Sequence, residues 1–279
     1  MGDPLEAGML DLSFRRDPRG RSVLSGKRQR FPLRMTVPFY LDPADPGMAF
    51  VYVQNPTGGV FAGDRLFMRV AASRDVRVHL TTQSATKLYR MDNGEARQDL
   101  RFELEPGAYV EHIPDALIPQ QGTRFHQRTV VDVAPGAAFV GAETIGPGRR
   151  AHGERFAYDS VTLTTEVWRA GREICTDTMR LQPPRARPDR RGVLSRHDYL
   201  VSLLVVAPER DSARLAAAID DALADEPSLF GGAGELPHQA GAVARILCDS
   251  APDAQRALRT AWRTAREQLL ELGLPAVRK

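Results

Sequence analysis

Apolar and polar residues alternate with a period of two through much of this chain as far as residue 207. Such alternation is typical of β-strands that bury one face and expose the other. β-branched and aromatic residues are frequent in the alternating runs, and short polar or Pro-Gly breaks separate them. The pattern predicts strands at residues 8–14, 48–54, 65–72, 76–82, 98–105, 109–113, 156–169 and 173–181, and an apolar run follows at residues 199–207.

Prolines mark places where strands end or lie at an edge. Pro32 and Pro38 have no N–H to donate, so residues 31–40 are predicted to form an edge strand or an extended connector. Pro106-Gly107 and Pro135-Gly136 each precede a strand that ends near a glutamate, and they are separated by about 29 residues, a spacing found in stacked repeat units. They are either one repeated turn or two unrelated type II turns.

The hydrophobic period changes to that of a helix after residue 207. Asp211 is expected to N-cap an alanine-rich helix that runs to about residue 224 and ends before Pro227. A glycine-rich link at residues 231–241 is then expected to lead to a second helix. The chain is therefore predicted to be a single domain, residues 1–279, with a mostly β part (1–207) and a mostly helical C-terminal part (208–279).

The second helix has clear start and stop signals. Ser250 to Asp253 form a capping signature, and Gly273 and Pro275 are expected to end the helix. Apolar residues recur at steps of three and four along one face, which predicts packing against the core or a partner and not a cofactor site. These residues are Leu258, Trp262, Ala265, Leu269 and Leu272.

Charge and composition exclude some classes of function. The formal net charge is only +3, so the basic pI gives no evidence of nucleic-acid binding. An arginine-rich loop at residues 183–196 is either a solvated loop or a docking site for an acidic partner. Cys175 and Cys248 lie far apart and form no CxxC pair, which excludes a disulfide framework or a zinc cluster and suits a reducing compartment.

The sequence shows neither of two common targeting features, a signal peptide or a membrane-spanning segment. Residues 1–12 contain three acids and lack the basic and then apolar order of a signal peptide. The longest apolar run, residues 200–207, is far too short to span a bilayer. We therefore expect a cytoplasmic protein with no membrane and no nucleic-acid partner.

The first candidate for chemistry is a glycine turn that carries an aspartate. Gly58 and Gly63 have the spacing of a P-loop, but Asp64 and Arg65 stand where that motif requires lysine and a hydroxyl residue. A carboxylate at this place disfavours a bound phosphate. Asp64 is suited instead to a cation or to hydrogen bonds with the backbone of its own turn.

The second candidate is Ser84-Ala85-Thr86-Lys87, which matches the S-x-x-K motif of penicillin-binding enzymes. The S-D-N and K-T-G motifs that accompany it there are absent, as are G-x-S-x-G and H-E-x-x-H. A small-molecule hydrolase or acyltransferase that depends on Ser84 and Lys87 is therefore kept only as the alternative function.

No transition-metal site is evident, because no two of the six histidines have the close spacing of metal ligands. What remains is a set of acids at or near strand ends. Carboxylates and waters hold divalent ions loosely, which suits a carrier that releases its ion better than it suits a store. These acids are Asp64, Glu111, Glu143, Glu154 and Asp177.

Two stretches of the chain resemble the urease accessory protein family UreD, also called UreH. The first is Asn55-Pro56-Thr57-Gly58-Gly59 with Gly63-Asp64, and the second is Thr81-Thr82-Gln83-Ser84-Ala85-Thr86-Lys87 with Tyr89-Arg90. Weaker pieces follow in the family's order, so that the resemblance covers nearly the whole chain. They are Gly8-x-Leu10-x-Leu12-x-Phe14, Ile118-Pro119, Gly148-Arg149, Gly153-Glu154-x-Phe156 and Leu236-Pro237 to Trp262-Arg263.

The resemblance implies a mainly β fold, a β-helix-like stack of strands with a small C-terminal α-helical part. It also implies a protein that is not an enzyme and has no tightly bound cofactor. Such a protein would be a scaffold and nickel conduit that binds the urease apoprotein, joins UreF and, through UreF, the GTPase UreG. Nickel would pass transiently through an internal passage toward the urease active site.

Four residues are expected to hold nickel in transit. Asp64 and Ser84 are assigned to the passage because they match the family's motifs, and Glu143 and Asp177 are added from the acids near strand ends. Lys87 would repel a cation in such a passage, so we expect its ammonium group to point elsewhere or to pair with an acid.

Overall fold

The structure is a computed structural model that describes residues 8–208, 212–226 and 229–277. Two β-sheets pack face to face, and helices cover the outer face of the larger sheet. The prediction of a mainly β fold with stacked strands and a small helical C-terminal part is confirmed. Strands predicted from alternation at residues 65–72 and 173–181 lie within one residue of their observed bounds.

The smaller sheet contains seven strands in the described part of the chain, in the spatial order β14-β13-β11-β8-β5-β1-β2. Its five central strands, from β13 to β1, are parallel to one another, and the outer strands β14 and β2 are antiparallel to them. The bounds are Gly8–Arg16 (β1), Ser22–Arg30 (β2), Arg65–Ala72 (β5), Ala96–Leu104 (β8), Arg124–Val133 (β11), Ser160–Arg169 (β13) and Arg172–Leu181 (β14).

The larger sheet contains ten described strands, eight of them in the order β16-β17-β15-β12-β9-β6-β4-β3, with β7 and β10 paired at its side. Strands β4, β6, β9 and β12 are parallel. The bounds are Arg34–Met35 (β3), Ala49–Gln54 (β4), Arg77–Thr82 (β6), Thr86–Leu88 (β7), Tyr109–His112 (β9), Leu117–Pro119 (β10), Ala138–Ile145 (β12), Tyr199–Val206 (β15), Phe230–Glu235 (β16) and Gly241–Cys248 (β17).

The chain winds between the two sheets in coils of about thirty residues, which is the geometry of a β-solenoid. The two Pro-Gly turns are corners of successive coils. Gly107 and Gly136 both have positive φ, and the N–H of Ala138 donates to the carbonyl of Ala108 at 2.9 Å. The repeat that the sequence only hinted at is therefore a stack of equivalent turns.

Two hydrophobic cores lie on opposite sides of the larger sheet. One fills the space between the sheets, and the other lies between the larger sheet and the helices α1 (Ser212–Ala224) and α2 (Ala251–Leu270). Alternation along each strand of the larger sheet thus separates inward residues from residues that face the helices. No described helix combines the length and the apolar character that a bilayer crossing requires.

The helix signals of the sequence agree with the structure except at one end. Ser250 caps α2 by accepting a hydrogen bond from the N–H of Asp253. The helix ends earlier than predicted, because Glu271 adopts the left-handed conformation ahead of Gly273. The predicted cap Asp211 and the predicted stop Pro227 lie outside the described residues.

The predicted glycine-rich link at residues 231–241 is wrong. It contains most of β16, which pairs antiparallel with β17 and extends the larger sheet. At Gly231 an added Cβ would lie 2.2 Å from the carbonyl oxygen of Arg245, so the close approach of the two strands requires glycine. Strands β2 and β11 were also missed, because neither shows clean alternation of apolar and polar residues.

Candidate functional site

One row of inward side chains on the smaller sheet changes from apolar to polar along its length. It begins with Leu10, Met68 and Leu100, which lie side by side on β1, β5 and β8 and are buried in the core between the sheets. The same row continues onto β11, β13 and β14. There the side chains are those of Thr129, Thr165 and Asp177.

The larger sheet presents a second polar row opposite the first. Glu143 on β12 is in register with Ser202 on β15, and Ser202 is in register with Arg245 on β17. Their neighbours two positions away along each strand, such as Ile145 and Leu204, belong to the apolar core. Each strand therefore contributes a single polar residue to an otherwise apolar inner face.

The two rows enclose a small cavity between the sheets, with room for about one water molecule. Gln127 on β11 donates a hydrogen bond from Nε2 to Oε1 of Glu143 at 3.0 Å. At the other end of the rows, Nη2 of Arg245 donates to both carboxylate oxygens of Asp177. We call this space the inter-sheet cavity; it is lined by His112, Thr129, Phe139, Gly141, Ala142, Glu143, Thr165, Asp177, Ser202 and Leu204.

Burial controls the charge of the two titratable groups deepest in the inter-sheet cavity. Burial and, secondarily, the charge of Asp177 raise the pKa of Glu143 to about 7, although Arg245 and the Gln127 amide oppose the shift. Burial, followed by the effect of His79, lowers the pKa of His112 to about 3. At neutral pH the cavity therefore contains a neutral imidazole at His112 and a partly protonated carboxyl group at Glu143.

A second buried acid lies on the opposite face of the same sheet. Glu111 is fully buried on β9, where its Oε1 accepts hydrogen bonds from the Tyr109 hydroxyl at 2.6 Å and from Arg266 Nη1 at 2.8 Å. Its other oxygen lies 2.7 Å from Nδ1 of His79. Burial alone would raise the pKa of Glu111, but the hydrogen bond with His79 and the charge of Arg266 outweigh burial and lower it.

Arg266 itself is fully buried between α2 and the larger sheet. Besides Glu111, its guanidinium donates from Nη2 to Asp42 at 2.6 Å and from Nε to the carbonyl of Gly273 at 2.8 Å. These contacts fix the second helix and the segment after it on the sheet. With its donors and acceptors satisfied in this way, the network is suited to holding the fold together.

The four residues predicted to lie on one passage occupy different places. Glu143 and Asp177 line the inter-sheet cavity together. Asp64 is held in its own turn, where it accepts the N–H of Phe61 at 2.8 Å. Ser84 is exposed on the surface, and Lys87 is exposed as well, which agrees with the expectation that its ammonium group points away from a passage.

The described residues contain no cluster of three or more histidine, cysteine, aspartate or glutamate side chains placed to hold a metal ion. The inter-sheet cavity brings His112 near the two carboxylates, but Asp177 is held by Arg245 and Glu143 by Gln127. The inter-sheet cavity thus holds two carboxyl side chains with separate protein partners and shows no closed coordination shell.

A comparison with known families decides the assignment. The family model described as UreD urease accessory protein matches residues 6–279. The chain belongs to the UreD family. A UreD relative from Streptomyces griseus, named urease accessory protein UreD 2, is 41% identical over 94% of this chain and 91% of its own length. UreD relatives from Mycolicibacterium gilvum and Natronomonas pharaonis are 36% and 34% identical over 95% and 99% of this chain, and 96% and 92% of their own lengths.

The prediction that the chain is not an enzyme agrees with these relatives, which are named as UreD accessory proteins. The alternative of a hydrolase built on Ser84 finds no support in the structure. Its hydroxyl forms no hydrogen bond with Lys87 or with any histidine in the part of the chain that is described, so no base is placed to activate it.

The stretches that resemble the UreD family form one stacked corner of the solenoid. Asn55 shapes the first turn, because its amide donates to the carbonyl of Gly59 at 2.8 Å and its oxygen accepts the N–H of Thr57 at 3.1 Å. Gly59 cannot carry a side chain, since a Cβ would lie 2.5 Å from the carbonyl oxygen of Lys87 and from the ring of Tyr89. The two UreD-like motifs therefore pack on each other.

The corner continues through the weaker UreD-like pieces. Ile118-Pro119 on β10 pairs with β7, and an added Cβ on Gly148 would lie 3.0 Å from the carbonyl of Pro119. Arg149 pairs with Glu154, which also accepts the N–H of Gln121 at 3.2 Å. In this chain these motifs shape one corner of the coils, while the inter-sheet cavity lies elsewhere.

Sequence reasoning missed most of the residues that surround Glu143 and Asp177. They were not recognisable as ligands, but they share one signal, since each is polar at an inward position of a strand whose inner face is otherwise largely apolar. These residues can be identified by assigning every strand position to the inner or the outer face of its sheet. They are His112, Gln127, Thr129, Thr165, Ser202 and Arg245.

Proposed function

We propose that this UreD-family chain acts in urease maturation as a scaffold and conduit, through which a nickel ion passes between the two sheets on its way to the urease apoprotein. The observation that carries the proposal is the pair of facing polar rows, which run through an otherwise apolar core and place Glu143 inside and Asp177 toward the surface. Family membership supplies the context of urease maturation.

The chemistry of the cavity suits an ion in transit. Affinity for nitrogen, oxygen and sulfur sites rises from nickel to copper, so nickel that is free in solution is outcompeted at strong sites. Isolated carboxylate, hydroxyl and imidazole groups hold a divalent ion weakly, and a weakly held ion leaves again. Asp177 and Glu143 thus provide successive stops along the path, and no tightly bound cofactor is part of the proposal.

The partners follow from the same proposal. The chain binds the urease apoprotein and UreF, and through UreF it meets UreG, which brings the nickel. The complex works in the cytoplasm without a membrane or nucleic-acid partner. The proposed path depends on Glu143 and Asp177. The family resemblance also suggests Asp64 and Ser84, but neither lines the inter-sheet cavity, and the proposed path does not depend on them.

The test uses urease produced together with its accessory proteins and either the wild-type chain or Glu143→Gln. We expect the variant to bind the urease apoprotein and UreF as the wild type does, and to lower the nickel content and activity of urease on the order of tenfold. Glu267→Gln, which changes an exposed residue of α2, is the control and is expected to have no effect. Normal nickel content of urease made with Glu143→Gln would overturn the proposed path.

A further inference from the structure

Arg245 lies at the outer end of the polar rows, and its guanidinium contacts Asp177 where a metal cation would bind. Its Nη2 donates to both oxygens of Asp177, the carboxylate that a metal ion would meet first. Both side chains are about one third exposed, at 36% for Arg245 and 33% for Asp177, so the ion pair lies at the mouth of the inter-sheet cavity. The guanidinium therefore blocks the first ligand of the proposed path.

The ion pair of Arg245 and Asp177 sets the charge at the mouth of the inter-sheet cavity. The polar side chains that line the cavity from β11, β13 and β15 are the hydroxyls of Thr129, Thr165 and Ser202, and Gln127 contributes an amide. His112 has a pKa lowered to about 3 and is neutral at physiological pH. Among the described residues around the cavity, Arg245 thus carries the positive charge that balances Asp177 and acts on Glu143.

A divalent ion and the guanidinium compete for the same oxygens. A carboxylate whose two oxygens both accept from Arg245 has to give up that contact to bind a metal ion, and the two positive charges repel each other at such short range. Arg245 has room to leave, because its side chain is partly exposed and the residue opposite it on the edge strand β16 is Gly232, which has no side chain.

We propose that Arg245 is a tethered competing cation that holds Asp177 when no metal is present and is displaced when a divalent ion enters. This inference rests on the proposed nickel path and adds a means of keeping the path weak. In the metal-free protein Arg245 neutralises the charge of Asp177 at the mouth of the cavity, so divalent ions in solution bind there only weakly. During passage the returning guanidinium favours release of the ion from Asp177.

The test is nickel binding by the purified full-length chain, measured by calorimetry with Ni²⁺ alone and without urease. We expect Arg245→Met to bind Ni²⁺ at least about tenfold more tightly than the wild type, because the competing charge is gone. Arg245→Lys keeps a charge and is expected to stay closer to the wild type. Arg180→Met removes an exposed arginine from β14, the strand that carries Asp177, and is expected to leave the affinity unchanged.

Two results would overturn the inference: an unchanged affinity in Arg245→Met, or a weaker one, which would mean that Arg245 only positions Asp177. Arg245→Gln repeats the test if the methionine variant is poorly folded. Adding Asp177→Asn to Arg245→Met is expected to abolish the gain, and a gain that persists also counts against the inference. If Arg245→Met binds more tightly while Glu143→Gln still activates urease normally, the path fails and the competition stands.

Discussion

Glu111 and Glu143 lie on the adjacent parallel strands β9 and β12 of one sheet, yet they are in opposite electrostatic states. Glu111 faces the helices, is fully buried and has a pKa below its ordinary value. Glu143 faces the space between the sheets and has a pKa raised to about 7. Burial opposes ionisation at both places, so burial does not explain the difference.

The difference in pKa is explained by how many hydrogen-bond donors and which charges surround each carboxyl group. Glu111 has a hydroxyl, an imidazole and a guanidinium within hydrogen-bond distance, whereas Glu143 has a single amide and a nearby like charge on Asp177. A carboxylate that is satisfied in this way fixes the fold and has little to offer an ion. A carboxyl left short of donors gains from any cation that reaches it, and this shortage makes the inter-sheet cavity a candidate for transport.

The largest effect on stability is expected for the buried network around Glu111. Arg266→Met removes the buried partner of Glu111 and Asp42, and leaves two buried carboxylates without their cation. Breaking a buried ion pair by removing one partner costs about 3–5 kcal/mol, so the free energy of unfolding is expected to fall by that amount in urea denaturation. Arg263→Met, an exposed change one turn earlier on α2, is the control and is expected to stay within about 0.5 kcal/mol. Equal stability of both variants would refute the view that this network holds the helix.

The comparison becomes sharper when the pH dependence of stability is measured for both glutamates. The folded protein holds the proton of Glu143 more tightly than the unfolded chain, in which the pKa is 4.5, so this group lowers stability as pH rises from 4.5 through 7. The loss is at most about 3.5 kcal/mol above pH 8, because each of the roughly 2.5 pKa units corresponds to about 1.4 kcal/mol. Glu143→Gln is therefore expected to be more stable than the wild type at pH 8 and similar to it at pH 4.5.

The sign is opposite for Glu111. Its pKa is lowered in the folded protein, so it contributes stability above pH 4.5 that is lost as pH falls through the folded value. Glu111→Gln is expected to be less stable than the wild type at pH 8, with a difference that shrinks in acid. Unfolding curves at several pH values check both variants. Parallel pH profiles of the two variants would show that the two sites do not differ as described.

The same contrast shows how far the sequence could lead. Strands whose inward residues are apolar, such as β5 and β6, were predicted from alternation. Strand β11 was missed because Gln127 and Thr129 replace apolar residues on its inner face and its outer face is polar as well. The residues that form the site thus weaken the signal by which their strand is recognised.

The buried network around Arg266 could not be predicted for a different reason. Position 266 falls within an arginine-rich helix and looks like a solvated residue, and its partners Asp42 and Glu111 come from distant parts of the chain. Only the packing of α2 on the larger sheet brings these charges together. Glu143 and Asp177 were within reach of sequence reasoning as acids near strand ends, but their facing arrangement depends on the register of two sheets.

Asp64 gives the smallest expected effect and extends the comparison to an acid that is neither buried in a network nor placed in the inter-sheet cavity. Its visible role is one hydrogen bond from the N–H of Phe61. Asp64→Leu loses that bond and is expected to cost about 1 kcal/mol of unfolding free energy. Asp64→Asn keeps an acceptor oxygen without the charge, so it is expected to retain both wild-type stability and normal urease activation.

If the asparagine variant folds normally but loads less nickel into urease, the charge of Asp64 acts on the ion and the path extends beyond the cavity. The matched pair separates these roles because only one of the two changes removes the acceptor, while both remove the charge.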